Sequence, residues 1–132
     1  MKAIALRWME QGWQQGNAQM VDEMHAPHFV DHAAAGRDQG RGGFKAGITQ
    51  LYAAFPDFYA QTEDLLIDEK RGTVVVRWAA TGTHQGLFIT TPPTNKQITF
   101  RGIEIIRIED GLIVERWGEW NGIELLEQIG AL

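Results

Sequence analysis

The chain contains no cysteine, which removes disulfides, thiolate catalysis and cysteine-ligated zinc at once. It is also short of positive charge: twelve Lys and Arg stand against seventeen Asp and Glu, a formal charge of -5, which argues against a nucleic-acid backbone as partner. No long apolar run suggests a membrane span, and Met1 to Trp8 is interrupted by Arg7 before it could form the continuous core of a secretory signal. Internal repeats and low-complexity tracts are missing too. What is present is ordinary globular composition, 44% hydrophobic and 22% charged, in 132 residues, so one domain over 1–132 with a real core is expected in the cytoplasm.

Helical spacing comes first. Ala5, Trp8, Met9, Gly12 and Trp13 mark a helix to about Gly16, Asn17 stands as cap before Met20, Val21 and Met24, and Pro27 ends that second helix. Phe29-Val30-Asp31-His32 reads as a short strand or extended turn. A Gly-rich loop over 36–43 leads into a third helix with Phe44, Ile48, Leu51, Tyr52 and Phe55 on one side, stopped by Pro56. The period then changes to that of strands, at roughly 58–69, 73–84, 97–109 and 112–120, before a short C-terminal helix from Gly122 to Gly130. Helices followed by strands, without βαβ alternation, predict an α+β fold with an antiparallel sheet that curves over the helices and encloses a pocket for a mostly apolar small molecule.

Asp110-Gly111 suits a type I′ hairpin turn, from which a register can be counted. Uninterrupted pairing sets Ile106 opposite Glu115, Glu104 opposite Trp117, Gly102 opposite Glu119 and Phe100 opposite Asn121. One face then carries Phe100, Glu104, Glu115, Trp117, Glu119 and Asn121, and the reverse carries Arg101, Ile103, Ile105, Arg107, Arg116 and Trp120. Turning the acidic face inward makes Glu119 a candidate base, with Glu104 at about 7–8 Å on the diagonal, because carboxylates crowded in an apolar cavity become proton acceptors near neutrality. The competing reading leaves these acids in water at strand ends or paired with arginines.

The ordered set Phe29-Val30-Asp31-His32, Ala54-Phe55-Pro56-Asp57, Arg77-Trp78, Gly82-Thr83-His84-Gln85-Gly86, Pro92-Pro93-Thr94-Asn95-Lys96 and Arg107 to Trp117, continuing to Gln128-Ile129-Gly130, resembles the SnoaL-like polyketide cyclases and predicted ester cyclases. The resemblance covers nearly the whole chain. It implies the nuclear transport factor 2-like cone, a bent sheet wrapped around three N-terminal helices, and a cofactor-free acid/base enzyme of the cyclase or isomerase type acting by aldol or enolisation chemistry. The family's acidic residue four positions after the Trp of Glu-x-Trp falls on Asn121, which hydrogen-bonds but does not shuttle a proton at ordinary pH. Some family branches with Asn there are associated with cofactor-free hydroxylation of polyketides.

The candidate catalytic residues are therefore Glu119 as base, Asn121 as holder of an oxyanion, and Glu104, His32 and His84. Trp117 leads the substrate contacts, with Phe100, Phe55, Trp13 and Phe88; for Trp13 and Phe55, core packing is the competing reading. The loop 87–93 closes over ligand or touches another subunit. His25, His28 and His32 have metal-like spacings, but Pro27 breaks the helix that would align them, so no metal or other cofactor is expected. A non-catalytic apolar-ligand module and a homodimer paired through the outer sheet face, at Arg101, Arg107 and Arg116, remain as readings from other classes.

Overall fold

In a computed structural model describing residues 1–132, α1 (Lys2–Trp8) runs directly into a π-helical turn (Met9–Gln14), followed by α2 (Met20–Met24), β1 (His25–Asp31), α3 (Arg41–Ala54), β2 (Tyr59–Asp68), β3 (Thr73–Thr83), β4 (Gln97–Glu109), β5 (Leu112–Trp120) and α4 (Gly122–Gln128). The sequence-predicted elements fall within a few residues of these. The five strands make one curled sheet in the order β1-β5-β4-β3-β2, and the helices fill its concave side. One expectation needs correction. The sheet is mixed, because the extended segment before the Gly-rich loop joins β5 in parallel, with Val30 opposite Glu115 and Asp31 opposite Arg116.

The inner face is set by strict alternation on β3 and β4. Val74, Val76 and Ala80 pair with Ile106, Glu104 and Phe100, all buried, while Arg101, Ile103 and Arg107 look outward. Two apolar clusters rest on this face. One surrounds Trp8, Phe44 and Ile106; the other surrounds Phe55, Phe58 and Phe100; Trp13, Tyr52 and Trp78 touch both.

The π turn places Trp13 between them. Widening the helix there changes the carbonyl pattern, and the Tyr52 hydroxyl donates to the Trp13 carbonyl and, at 3.3 Å, to that of Gln14. Gly12 is required beside it, since a Cβ at that position would overlap the Trp8 ring.

The hairpin turn is as expected, with Asp110 and Gly111 at φ 51° and 80°. Beyond it the uninterrupted register fails. Glu109 opposes Leu112 and Ile108 opposes Ile113, but Arg107 opposes Glu115, so Val114 is an extra residue on β5. A bulge of one residue turns every later side chain to the other face. Ile106 consequently faces Arg116, Glu104 faces Gly118 and Gly102 faces Trp120. Arg116 and Trp120, expected on the reverse face, belong to the inner one, while Trp117 and Glu119 join the outer one.

Candidate functional site

Past the bulge, Arg116 enters the interior between two acids from different strands. Its Nη1 donates to Asp31 Oδ1 at 2.8 Å and its Nε donates to Glu104 Oε1 at 3.1 Å. Asp31 is fully buried, Glu104 is 2% exposed and Arg116 is 9% exposed. Such a cluster is costly to desolvate and persists only if its hydrogen bonds are well made. Burial works against the Arg116 charge, yet Glu104 and Asp31 outweigh it and hold the guanidinium above its ordinary value. The guanidinium carbon also lies 4.8 Å from the centre of the Phe44 ring, in cation–π contact.

The two carboxylates are not equally engaged. Asp31 Oδ1 additionally accepts from the Ala33 amide at 2.8 Å, whereas Asp31 Oδ2 is buried and has no hydrogen-bond partner. A buried carboxylate oxygen left unpaired is expensive.

Beside the cluster the inner face carries two glycines on neighbouring strands, Gly102 and Gly118. Trp78 lies across the first and Arg116 across the second, each where a Cβ would stand. Toward α4 the face becomes aromatic. Phe100 is within 6.0 Å of Phe55, 5.2 Å of Phe58, 5.8 Å of Trp78 and 5.8 Å of Trp120, ring centre to ring centre. Phe88, from the loop before β4, packs on Phe55 and Trp120 at 5.4 and 6.4 Å. Trp120 is 43% exposed although it lies on the inner side. Two open hollows of about 170 and 480 Å³ lie elsewhere, one beside Ile4, Met24 and Gly111 and the other between the π turn and β2.

Of the sequence-predicted catalytic residues, Glu104 is in this interior and the others are not joined to it. Glu119 is exposed on the outer face, the result of the bulge, which corrects its inward placement. Asn121 is exposed at the start of α4, where its Oδ1 accepts from the Glu124 amide at 3.1 Å and its Nδ2 donates to Glu124 Oε2 at 3.0 Å, so it acts as a helix cap. Trp117 is also outside, stacked on His32 with ring centres 4.8 Å apart. His32 Nε2 bonds Glu115 Oε2 at 2.7 Å; that bond first, then Arg107, holds the Glu115 carboxyl below the usual carboxylate range.

His84 is fully buried but lies at the far end of the aromatic region, 5.5 Å from Phe55, with Nδ1 accepting from the Thr94 amide at 3.3 Å and meeting Thr94 Oγ1 at 2.9 Å. The predicted substrate contacts Phe100, Phe55 and Phe88 do come together, and Trp13 reaches the same region through Phe58 at 6.4 Å. Asp31 and Arg116 were missed as site residues. Asp31 had a readable signal, an acid at the end of an apolar extended segment, but the inward turn of Arg116 had none.

A family model of the SnoaL-like polyketide cyclase matches residues 3–129. Among curated proteins none matches the chain in sequence. Among solved structures, IdmH from Streptomyces antibioticus, a candidate polyketide cyclase, is 27% identical with a TM-score of 0.84, over 98% of this chain and 97% of that one. A candidate polyketide cyclase from Bacillus cereus is 28% identical with a TM-score of 0.83, over 98% and 79%. AclR from Streptomyces galilaeus, a candidate hydroxylase, is 25% identical with a TM-score of 0.85, over 99% and 81%. The match runs from α1 to the end of α4 and takes in every residue of the buried cluster, and on it this chain belongs to the SnoaL-like polyketide cyclase family.

Proposed function

We propose that this protein is a cofactor-free acid/base enzyme that enolises an apolar, carbonyl-bearing small molecule, with Asp31 as the base. The observation that carries this reading is the unpaired, buried Oδ2 of Asp31 beside a second carboxylate and a fixed guanidinium. Substrate enters past Trp120 and Phe88 and lies along Phe100 and Trp78. The carbon next to its carbonyl loses a proton to Asp31 Oδ2, the C–H electron pair moves into the carbonyl to form an enolate, and ring closure or reprotonation follows. Glu104 keeps Arg116 oriented while Asp31 changes charge. The likeness to candidate cyclases supports the reaction class.

The test does not need the natural substrate. Exchange of the methyl protons of acetophenone for deuterium, followed by NMR in heavy water, should be accelerated by the wild-type protein and not by Asp31→Asn. Equal acceleration by both would remove Asp31 from the chemistry. A second reading, cofactor-free hydroxylation, draws on the likeness to AclR; oxygen uptake with an electron-rich phenol would favour it over enolisation.

The chain works in the cytoplasm, in this proposal, as a homodimer paired through the outer sheet face. There Leu66, Ile103 and Trp117 are 63%, 47% and 38% exposed. Light scattering on a sizing column reads this directly, and a monomer at all concentrations would rule it out. No helix is long and apolar enough to cross a membrane.

A further inference from the structure

The guanidinium of Arg116 has a third nitrogen. Nε is taken by Glu104 and Nη1 by Asp31, while Nη2 lies over Gly118, in the space that any side chain at that position would occupy. Gly118 stands opposite Glu104 on the inner face, between Arg116 and Trp120 along β5, so this nitrogen faces the stretch of the inner face that leads from the buried acids toward Trp120.

We infer that Arg116 Nη2 is the donor that holds the substrate's carbonyl oxygen, that Gly118 is the positioning residue that keeps this donor in place, and that the site selects uncharged carbonyl compounds over anions. The inference rests on the enolisation reading and adds the group that stabilises the enolate. A guanidinium fixed on two carboxylates and the face of Phe44 presents its remaining N–H groups without reorganisation, as an oxyanion donor must. Charge decides the ligand class. One guanidinium against two carboxylates leaves the cluster with an excess negative charge, so a carboxylate or phosphate arriving at Nη2 is repelled by Asp31 and Glu104. A neutral carbonyl is not repelled, and the negative charge that grows on its oxygen during enolisation is matched by the one Asp31 loses on taking the proton.

Gly118 makes the arrangement possible. A Cβ there would displace Nη2, and because the same planar group holds both acids, displacing one edge disturbs all three interactions.

Three probes of one ring size separate the terms: acetophenone, which has a carbonyl; ethylbenzene, which has none; and benzoate, which carries the charge. Binding is followed by the NMR signals of the Arg116 side-chain N–H groups and by tryptophan fluorescence. The wild-type protein should bind acetophenone about tenfold more tightly than ethylbenzene, the worth of one hydrogen bond to a charged donor, and benzoate more weakly than either. Acetophenone should shift the Arg116 signals. Gly118→Ala should abolish the preference for acetophenone over ethylbenzene.

Benzoate bound as tightly as acetophenone, or acetophenone bound without any change at Arg116, overturns the inference, and both are read on the wild-type protein whether or not the variant folds. Deuterium exchange that still depends on Asp31 under either outcome would leave the enolisation reading standing, so the two failures are distinguishable.

Discussion

Acidifying the protein should cost it stability well before its carboxylates titrate, and one side chain is responsible. His25 is 1% exposed, packed edge-on against Trp8 at 4.5 Å and Phe29 at 4.7 Å, with Nδ1 donating to the Val21 carbonyl at 3.1 Å and Nε2 buried without a partner. Burial pushes its pKa down from 6.5 to about 3; the Val21 bond opposes that shift, and the charges of Arg116 and Arg41 add to it. A histidine depressed in the folded state contributes stability that is complete above its unfolded value and drains away as pH falls through it, because only the unfolded chain takes up the proton. With 6.5 in the unfolded chain and about 3 in the folded one, the loss between about pH 8 and about pH 5 comes to about 2 kcal/mol. Urea denaturation across that range should show it, and His25→Gln should flatten the slope even if its own stability is lower throughout. A variant that kept the wild-type slope would refute the reasoning, since the proton would then be going elsewhere.

The remaining predictions concern the same interior. Arg116→Met strands two buried carboxylates and should destabilise the fold by about 3–5 kcal/mol in equilibrium denaturation, with a smaller loss when Asp31→Asn is added to it. Gly12→Ala drives a methyl group into the Trp8 ring and should cost about 1–3 kcal/mol by the same assay. Tyr52→Phe removes the hydroxyl that serves the π-turn carbonyls, and a loss of about 1–2 kcal/mol together with faster amide exchange over Met9–Gln14 is expected. The Tyr52 hydroxyl, pushed up to about 12 by burial, should stay protonated at any pH used for these measurements.

The cone was legible because its signals are local. The switch of hydrophobic period from helical to alternating near Pro56, the Asp110-Gly111 turn and the proline stops each act over a few residues, so the sequence states them directly. Phe100, Phe55 and Phe88 were expected as substrate contacts, and in the structure their rings pack on one another. The parallel pairing of β1 with β5 was not legible, since it joins segments about eighty residues apart through backbone hydrogen bonds that leave no pattern in the side chains.

The acid/base site divides along the same line. The sequence by itself put Glu104 on one face of β4 with Phe100 and Ile106, but alternation left open which face turns inward, and only the family resemblance chose that one. Only the tertiary structure decided what faces it. One extra residue at Val114 exchanges Trp117 and Glu119 for Arg116, Gly118 and Trp120, and the strand's own composition cannot announce that exchange, since both of its faces carry apolar and charged side chains. The bulge turns Arg116 toward a carboxylate from β1 and another from β4, and those partners come within reach of β5 only when the strands have assembled into one sheet.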